Sequence, residues 1–216
     1  ALGSCKLGRE AEFQAIMPVR AKILNCLKSD YDKIFKNDII TDLLKVLGCG
    51  VEIKSKRSDM NSFDLSQLRW SKIIICTDAD VDGYQIRTLI LTMLYRLAPT
   101  LIKEKKVFIA ESPLFEITSG GKSYFAYSEA EKTAILSKLK GKKVSIQRSK
   151  GLGENQPEMM WETTMNPQTR RLIQVLPSDE EATRQVFELL LGDNLKGRKE
   201  HIEQDGYKYI DLSDIS

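Results

Sequence analysis

A chain of 216 residues, 42% hydrophobic and 29% charged, has the composition of a soluble globular protein and the length of one sizeable domain, or one with a small appendage. No apolar run nears the ~20 residues needed to cross a bilayer and no signal-peptide pattern opens the sequence, which points to the cytoplasm. A net charge of +3 is too small to identify a nucleic-acid partner, and the 11 Lys and Arg against 5 Asp and Glu within residues 103–150 read first as a solvated face.

Along the chain, the stretch 15–24, AIMPVRAKIL, predicts a strand region broken at Pro18. A helical stretch follows and ends near KVLGCG, where Gly48 suits a left-handed C-cap. IIIC (73–76) and VFIA (107–110) are short unbroken apolar runs of the kind found in strands covered on both faces. Between them Ile86, Leu89, Ile90, Met93, Leu94 and Leu97 fall on one helical stripe, with Pro99 as its stop. The pattern is a βαβ unit. SEAEKTAILSKLKG opens on a capping box, Ser128 with Glu131, and stops at Gly141; SDEEATRQVFELLLG repeats the device with Ser178, Glu181 and Gly192. TSGGKS and SKGLGEN read as turns, and the part from about Asn155 reads as helical. Cys5, Cys26, Cys49 and Cys76 form no CxxC pair and lie far from the single histidine, His201, so they read as reduced structural thiols rather than a zinc site.

Asp78, Asp80 and Asp82 stand at alternate positions at the carboxyl end of the first apolar run, where ligands bind in open α/β sheets. At ~5 Å and an effective dielectric of ~20, each carboxylate pair repels by about 3 kcal/mol, so a positive partner is required. An EF-hand loop is excluded, because the twelfth position counted from Asp78 is Leu89 and a strand-like run precedes the loop. DADV also fits the D-x-D-x-[TV] motif of haloacid-dehalogenase-like phosphohydrolases, with Asp78 as nucleophile and Asp80 as general acid. The distal acidic pair of that chemistry is then reduced to Asp193. A magnesium site for phosphodiester chemistry fits as well. On an extended backbone Asp78 and Asp80 point to the same side, Gly83 permits a tight turn into the helix, and the helix N-terminus brings partial positive charge near Asp82. Magnesium typically takes one or two carboxylates together with phosphate oxygens and waters. A plain cap and turn accounts for one aspartate, but poorly for three in alternation.

TDADVDG with IRTLILTMLYR resembles the Toprim domain of the B subunits of bacterial type IIA topoisomerases. The likeness extends through SCKLGR (4–9), MPVRAKILN (17–25), VLGCG (46–50), AESPLFEI (110–117), RSKGLGENQPEMMWETTMNP (148–167) and RRL (170–172), in the family's order, and so covers essentially the whole chain. It implies an α/β Toprim fold, a Rossmann-like parallel sheet flanked by helices with a helical C-terminal tail. The implied division is a Toprim core at 1–118, a connecting segment with the KGLGE motif at 119–154, and a helical C-terminal subdomain at 155–216.

The resemblance also implies a function: Mg-dependent double-strand DNA cleavage and religation. The nucleophilic tyrosine comes from an A subunit, in a heterotetramer of two A and two B chains, and ATP is handled by an N-terminal module outside this chain. Asp78, Asp80 and Asp82 are the implied catalytic metal ligands, for Mg2+ with Mn2+ or Ca2+ as substitutes. The family's further glutamate, in an E-G-D-S segment, aligns upstream of Ala1, so this chain alone is expected to be inactive. Lys6, Arg9, Arg20, Lys22, Asn25, Gln85, Lys150 and Arg170 match positions expected to contact double-stranded DNA, and Arg20 also lies at a position near the family's quinolone pocket. Gln85 stands where the family usually has histidine; it can donate a hydrogen bond to phosphate but does not titrate.

Overall fold

The computed structural model describes residues 2–20, 22–53, 62–149, 151–153, 155–177 and 179–212. Helix α1 (Leu2–Gly8) covers most of the SCKLGR motif. The strand expected over 15–24 does not form in its described residues. Pro18 has no N–H to give to a ladder, and Val19, Ile23 and Leu24 bury their side chains in the core without strand pairing.

Helices α2 (Tyr31–Phe35) and α3 (Asp38–Leu47) each begin at a capping side chain: Asp30 accepts from the Lys33 N–H at 2.7 Å and Asn37 from the Ile40 N–H at 3.2 Å. Ile40, Leu44 and Leu47 form the buried stripe of α3, and Gly48 ends it at φ 82°, as predicted.

The predicted βαβ unit follows. Strand β1 (Ile73–Ile75) leads through the acidic loop into α4 (Val81–Leu97), a short helix α5 (Thr100–Lys103) and β2 (Val107–Ala110). Leu89, Met93, Leu94 and Leu97 are buried along α4, and Pro99 lies two residues past its end.

Strands β3 (Phe115–Ser119) and β4 (Lys122–Ala126) form a hairpin closed by Gly120 and Gly121, with φ of 57° and 77°. A two-residue turn with positive φ at both positions matches the right-handed twist of the strands it joins. Helix α6 (Glu129–Lys138) starts at the predicted capping box: the Ser128 hydroxyl accepts from the Glu131 N–H at 3.1 Å, and the Glu131 carboxylate accepts from the Tyr127 N–H at 3.1 Å. Strand β5 (Ser145–Arg148) pairs antiparallel with the other edge of β3.

A short helix α7 (Pro157–Met160) continues into a π-helical turn, Trp161–Met165. Strand β6 (Leu172–Gln174) then interrupts the predicted helical C-terminal stretch before α8 (Glu180–Leu191), α9 (Leu195–Asp205) and a 3-10 turn, Gly206–Leu212. Asp179 caps α8 by accepting from the Ala182 N–H at 2.7 Å, and Gly192 ends it; Ser178, the expected cap, lies outside the described residues.

One three-stranded sheet has the order β1-β2-β6 and the other β4-β3-β5. β6 runs antiparallel to β2, since Val175 N–H bonds to the Val107 carbonyl at 3.0 Å and Glu111 N–H to the Arg171 carbonyl at 3.1 Å. Contacts divide the chain into two interleaved compact units. One comprises residues 1–18, 76–84 and 109–173, the other 19–75, 85–108 and 174–216. The second holds the large core, in which Ile34, Ile40, Leu97, Leu101 and Val107 are fully enclosed. The first has two small cores, one of Phe115, Ile117, Ala126 and Leu139, the other of Cys5, Leu152 and Met160. No described helix is long and apolar enough to cross a membrane.

Candidate metal centre and nucleic-acid interface

The acidic motif occupies the loop between β1 and α4 in the first unit. Strand pairing ends at Ile75, so Asp78 and Asp80 sit on a bent loop rather than the extended backbone expected. Asp80 caps α4: one of its oxygens accepts from the Gly83 N–H at 2.6 Å. Asp82 lies in the first helical turn, exposed, where the helix dipole favours negative charge.

Gly83 is there for close approach. A Cβ at this position would fall 2.1 Å from the Asp78 carbonyl oxygen, an overlap with backbone that no rotamer relieves. The loop curls back over the start of its own helix because residue 83 has no side chain.

Asp78 is held from a distant part of the sequence. Its Oδ1 accepts from the Leu152 N–H at 2.7 Å, and a Cβ on Gly151 would lie 3.5 Å from the same oxygen. Leu152 itself is 5% exposed, packed with Cys5 of α1 and Met160 of α7. Gly8 brings α1 tight against α7, since a Cβ there would meet the Pro157 carbonyl oxygen at 2.6 Å. Cys5 and Gly8 of SCKLGR, Leu152 of KGLGE, and Pro157 and Met160 of PEMMWETTM are thus brought together, and the Leu152 N–H links them to the acidic loop.

The aspartates offer hard oxygen donors, the type magnesium takes. Each hydrogen bond described engages one oxygen of a two-oxygen group, which leaves acceptor capacity on Asp78 and Asp80. Among the described residues no group of three or more His, Cys, Asp or Glu is arranged to hold a metal ion. The residues thus fit an ion bound through one or two carboxylates and completed by water and phosphate, not an all-protein cage.

The expected DNA-contacting residues divide between the units. In the first, Lys6 is exposed on α1 and Arg9 half-buried just after it. Arg170 Nη1 donates to the Met165 carbonyl at 3.3 Å, and burial lowers its guanidinium pKa from the ordinary value. Its neighbour Arg171 is committed within the fold: it pairs with Glu131 at 2.8 Å and stacks 3.9 Å from the Tyr127 ring centroid. Lys150 lies outside the described residues.

In the second unit Arg20, Lys22 and Gln85 are exposed. Asn25 uses both ends of its amide internally, donating to the Leu191 carbonyl at 3.0 Å and accepting from the Leu27 N–H at 3.0 Å. A residue the sequence reading missed governs the same segment. Arg96 Nη1, at the end of α4, donates to the carbonyls of Cys26, Leu27 and Ser29, and the guanidinium lies 4.7 Å from the Tyr31 ring centroid. A basic residue in a helix's last turn is a common surface pattern, so nothing local marks this one. Burial raises the Cys26 thiol to about 11, which keeps it protonated and unreactive.

The Toprim domain family model matches residues 1–112, and a second model, for the carboxyl terminus of the DNA gyrase B subunit, matches residues 141–203. The chain belongs to the Toprim family.

Among curated proteins it is 45% identical over 210 residues to the DNA gyrase B subunit of Thermotoga maritima, covering 97% of this chain and 32% of the relative. It is 46% identical over 212 residues to that of Clostridium acetobutylicum (97% and 32%), and 44% identical over 210 residues to that of Thermus thermophilus (97% and 32%). The chain spans about a third, 32%, of the length of these relatives. Nothing in these matches supports the haloacid-dehalogenase alternative.

Proposed function

We propose that this chain is the metal-binding and DNA-binding part of a type IIA topoisomerase B subunit, working with the tyrosine of an A subunit in cleaving and rejoining double-stranded DNA. The observation that carries this reading is the strand–loop–helix junction. Two carboxylates there each accept a backbone N–H, from Gly83 and from Leu152, in a chain similar to DNA gyrase B subunits over 97% of its length. Asp78 and Asp80 would hold Mg2+, with Asp82 adding negative charge beside it. A magnesium ion so bound supplies charge stabilisation for the attacked phosphodiester. The protein's own part is to fix the carboxylates before DNA arrives and to place cations along the backbone. Lys6, Arg9, Arg20 and Lys22 suit phosphate contact, which sets register without reading sequence. Gln85 would donate a hydrogen bond to phosphate, whereas the Asn25 amide is already engaged with the Leu191 carbonyl and the Leu27 N–H. Lys150 and Arg170 remain proposed DNA contacts, Arg170 from its half-buried position.

The test uses an assembled topoisomerase whose B subunit carries this chain. Asp78→Ala and Asp80→Ala should each lower Mg-dependent cleavage by more than a hundredfold while DNA binding persists, with that binding weakened by added salt. Normal cleavage by both variants would end the reading.

A further inference from the structure

The KGLGE motif is the most distinctive stretch of the sequence, and its lysine is the residue that invites a function. The geometry points to its backbone instead. We propose that the Leu152 N–H is the positioning group for Asp78, and that the burial of the Leu152 side chain sets the divalent-ion affinity of the acidic loop; this rests on the proposed role of Asp78 as a metal ligand.

The N–H reaches Asp78 Oδ1 at 2.7 Å across 74 residues of sequence. A hydrogen bond to a charged acceptor is stronger than a neutral one and fixes the rotation of the carboxylate. With one site of Oδ1 taken by the Leu152 N–H, Oδ2 would be the oxygen with more acceptor capacity left for a cation. The donor is itself anchored, because Leu152 is 5% exposed and packs with Cys5 and Met160. Gly151 lies beside the same carboxylate, its virtual Cβ at van der Waals distance, 3.5 Å, from Oδ1. The buried leucine is the one apolar anchor of this short loop, and it carries the N–H that meets the acid.

Two measurements on the 216-residue chain test this. In the first, amide hydrogen exchange at Leu152 is compared between the wild type and Asp78→Ala. Exchange at least tenfold faster in the variant is expected, and an unchanged rate overturns the inference. In the second, Mn2+ binding is followed by calorimetry and by the electron spin resonance of the free ion. Leu152→Ala should weaken it about tenfold, the size of effect seen for groups that orient metal ligands. Leu152→Met keeps the anchor's bulk and should stay within about twofold of wild type. If Asp78→Ala loses Mn2+ while Leu152→Ala keeps wild-type affinity, the positioning role is wrong and the metal-ligand reading stands. If Asp78→Ala binds Mn2+ like the wild type, Asp78 is not a ligand and both fail. A wild-type chain that takes up no Mn2+ overturns the inference as well.

Discussion

The two ends of α4 make opposite demands on the sequence. At its start the helix meets a loop carrying three aspartates, and order there comes from backbone: the Gly83 and Leu152 N–H groups each hold a carboxylate, and Gly83 makes room. At its finish one long side chain does the holding, with Arg96 gathering three carbonyls of the loop at residues 26–29. Both follow the helix dipole, acid at the N-terminus and base at the C-terminus. They differ in what substitution can remove. The acidic end is sensitive to added bulk, the basic end to lost reach.

The largest effect should come from adding one methyl group at the acidic end. Gly83→Ala places a carbon within 2.1 Å of a backbone oxygen, and should lower unfolding free energy in urea by about 3 kcal/mol or more, the upper range for overpacking. A loss below about 1 kcal/mol would mean that the loop does not curl over the helix. Arg96→Ala should cost about 2–3 kcal/mol, the scale for hydrogen bonds to a charged group. Arg96→Lys should recover less than half of that, because an ammonium does not reproduce the planar guanidinium fork. Full rescue by lysine would show that charge alone matters at this end.

The smallest effect belongs to neither end and calibrates both. Arg171, and next the Tyr127 N–H, hold the Glu131 carboxyl below its usual range by hydrogen bonding, against a small opposing effect of burial. A depressed carboxyl pKa stabilises the fold above the unfolded value of about 4.3, and that contribution is lost as pH falls through the folded value. The pair is substantially exposed, with 45% and 38% of the side chains accessible, so screening keeps its contribution under about 1 kcal/mol. Arg171→Ala should therefore lower the midpoint of urea unfolding slightly at pH 7, and the difference should shrink as pH falls through the folded Glu131 value, leaving the part due to stacking on Tyr127, which does not titrate there.

The sequence announced the parts of the fold that local chemistry decides. The apolar runs at 73–76 and 107–110, the stripe from Ile86 to Leu97, the box at Ser128 and the stop at Gly48 each depend on neighbours within a few residues, and each is where the pattern puts it. Residues 15–24 misled because their apolar content shows burial without showing a partner strand, and Pro18 had already removed one donor. The β3–β4 hairpin was legible and underread: FEITS and KSYFA flank Gly-Gly, a stronger signal than the turn alone. Of the site, the aspartates and their glycine were visible. The Leu152 N–H was not, because a backbone donor has no residue type to recognise and its acceptor lies 74 positions away. Arg96 was hidden for a similar reason, since its partners are carbonyls.

The order β4-β3-β5 leaves β5 as an open sheet margin, exposed along its whole length, with Ile146 47% accessible. Such a margin invites strand-by-strand association with other chains. Lys138, Lys140, Lys142 and Lys143 precede it in the chain, and Arg148 is its last residue. Charge beside a free edge disfavours such pairing, so neutralising those lysines should promote aggregation before it alters the fold.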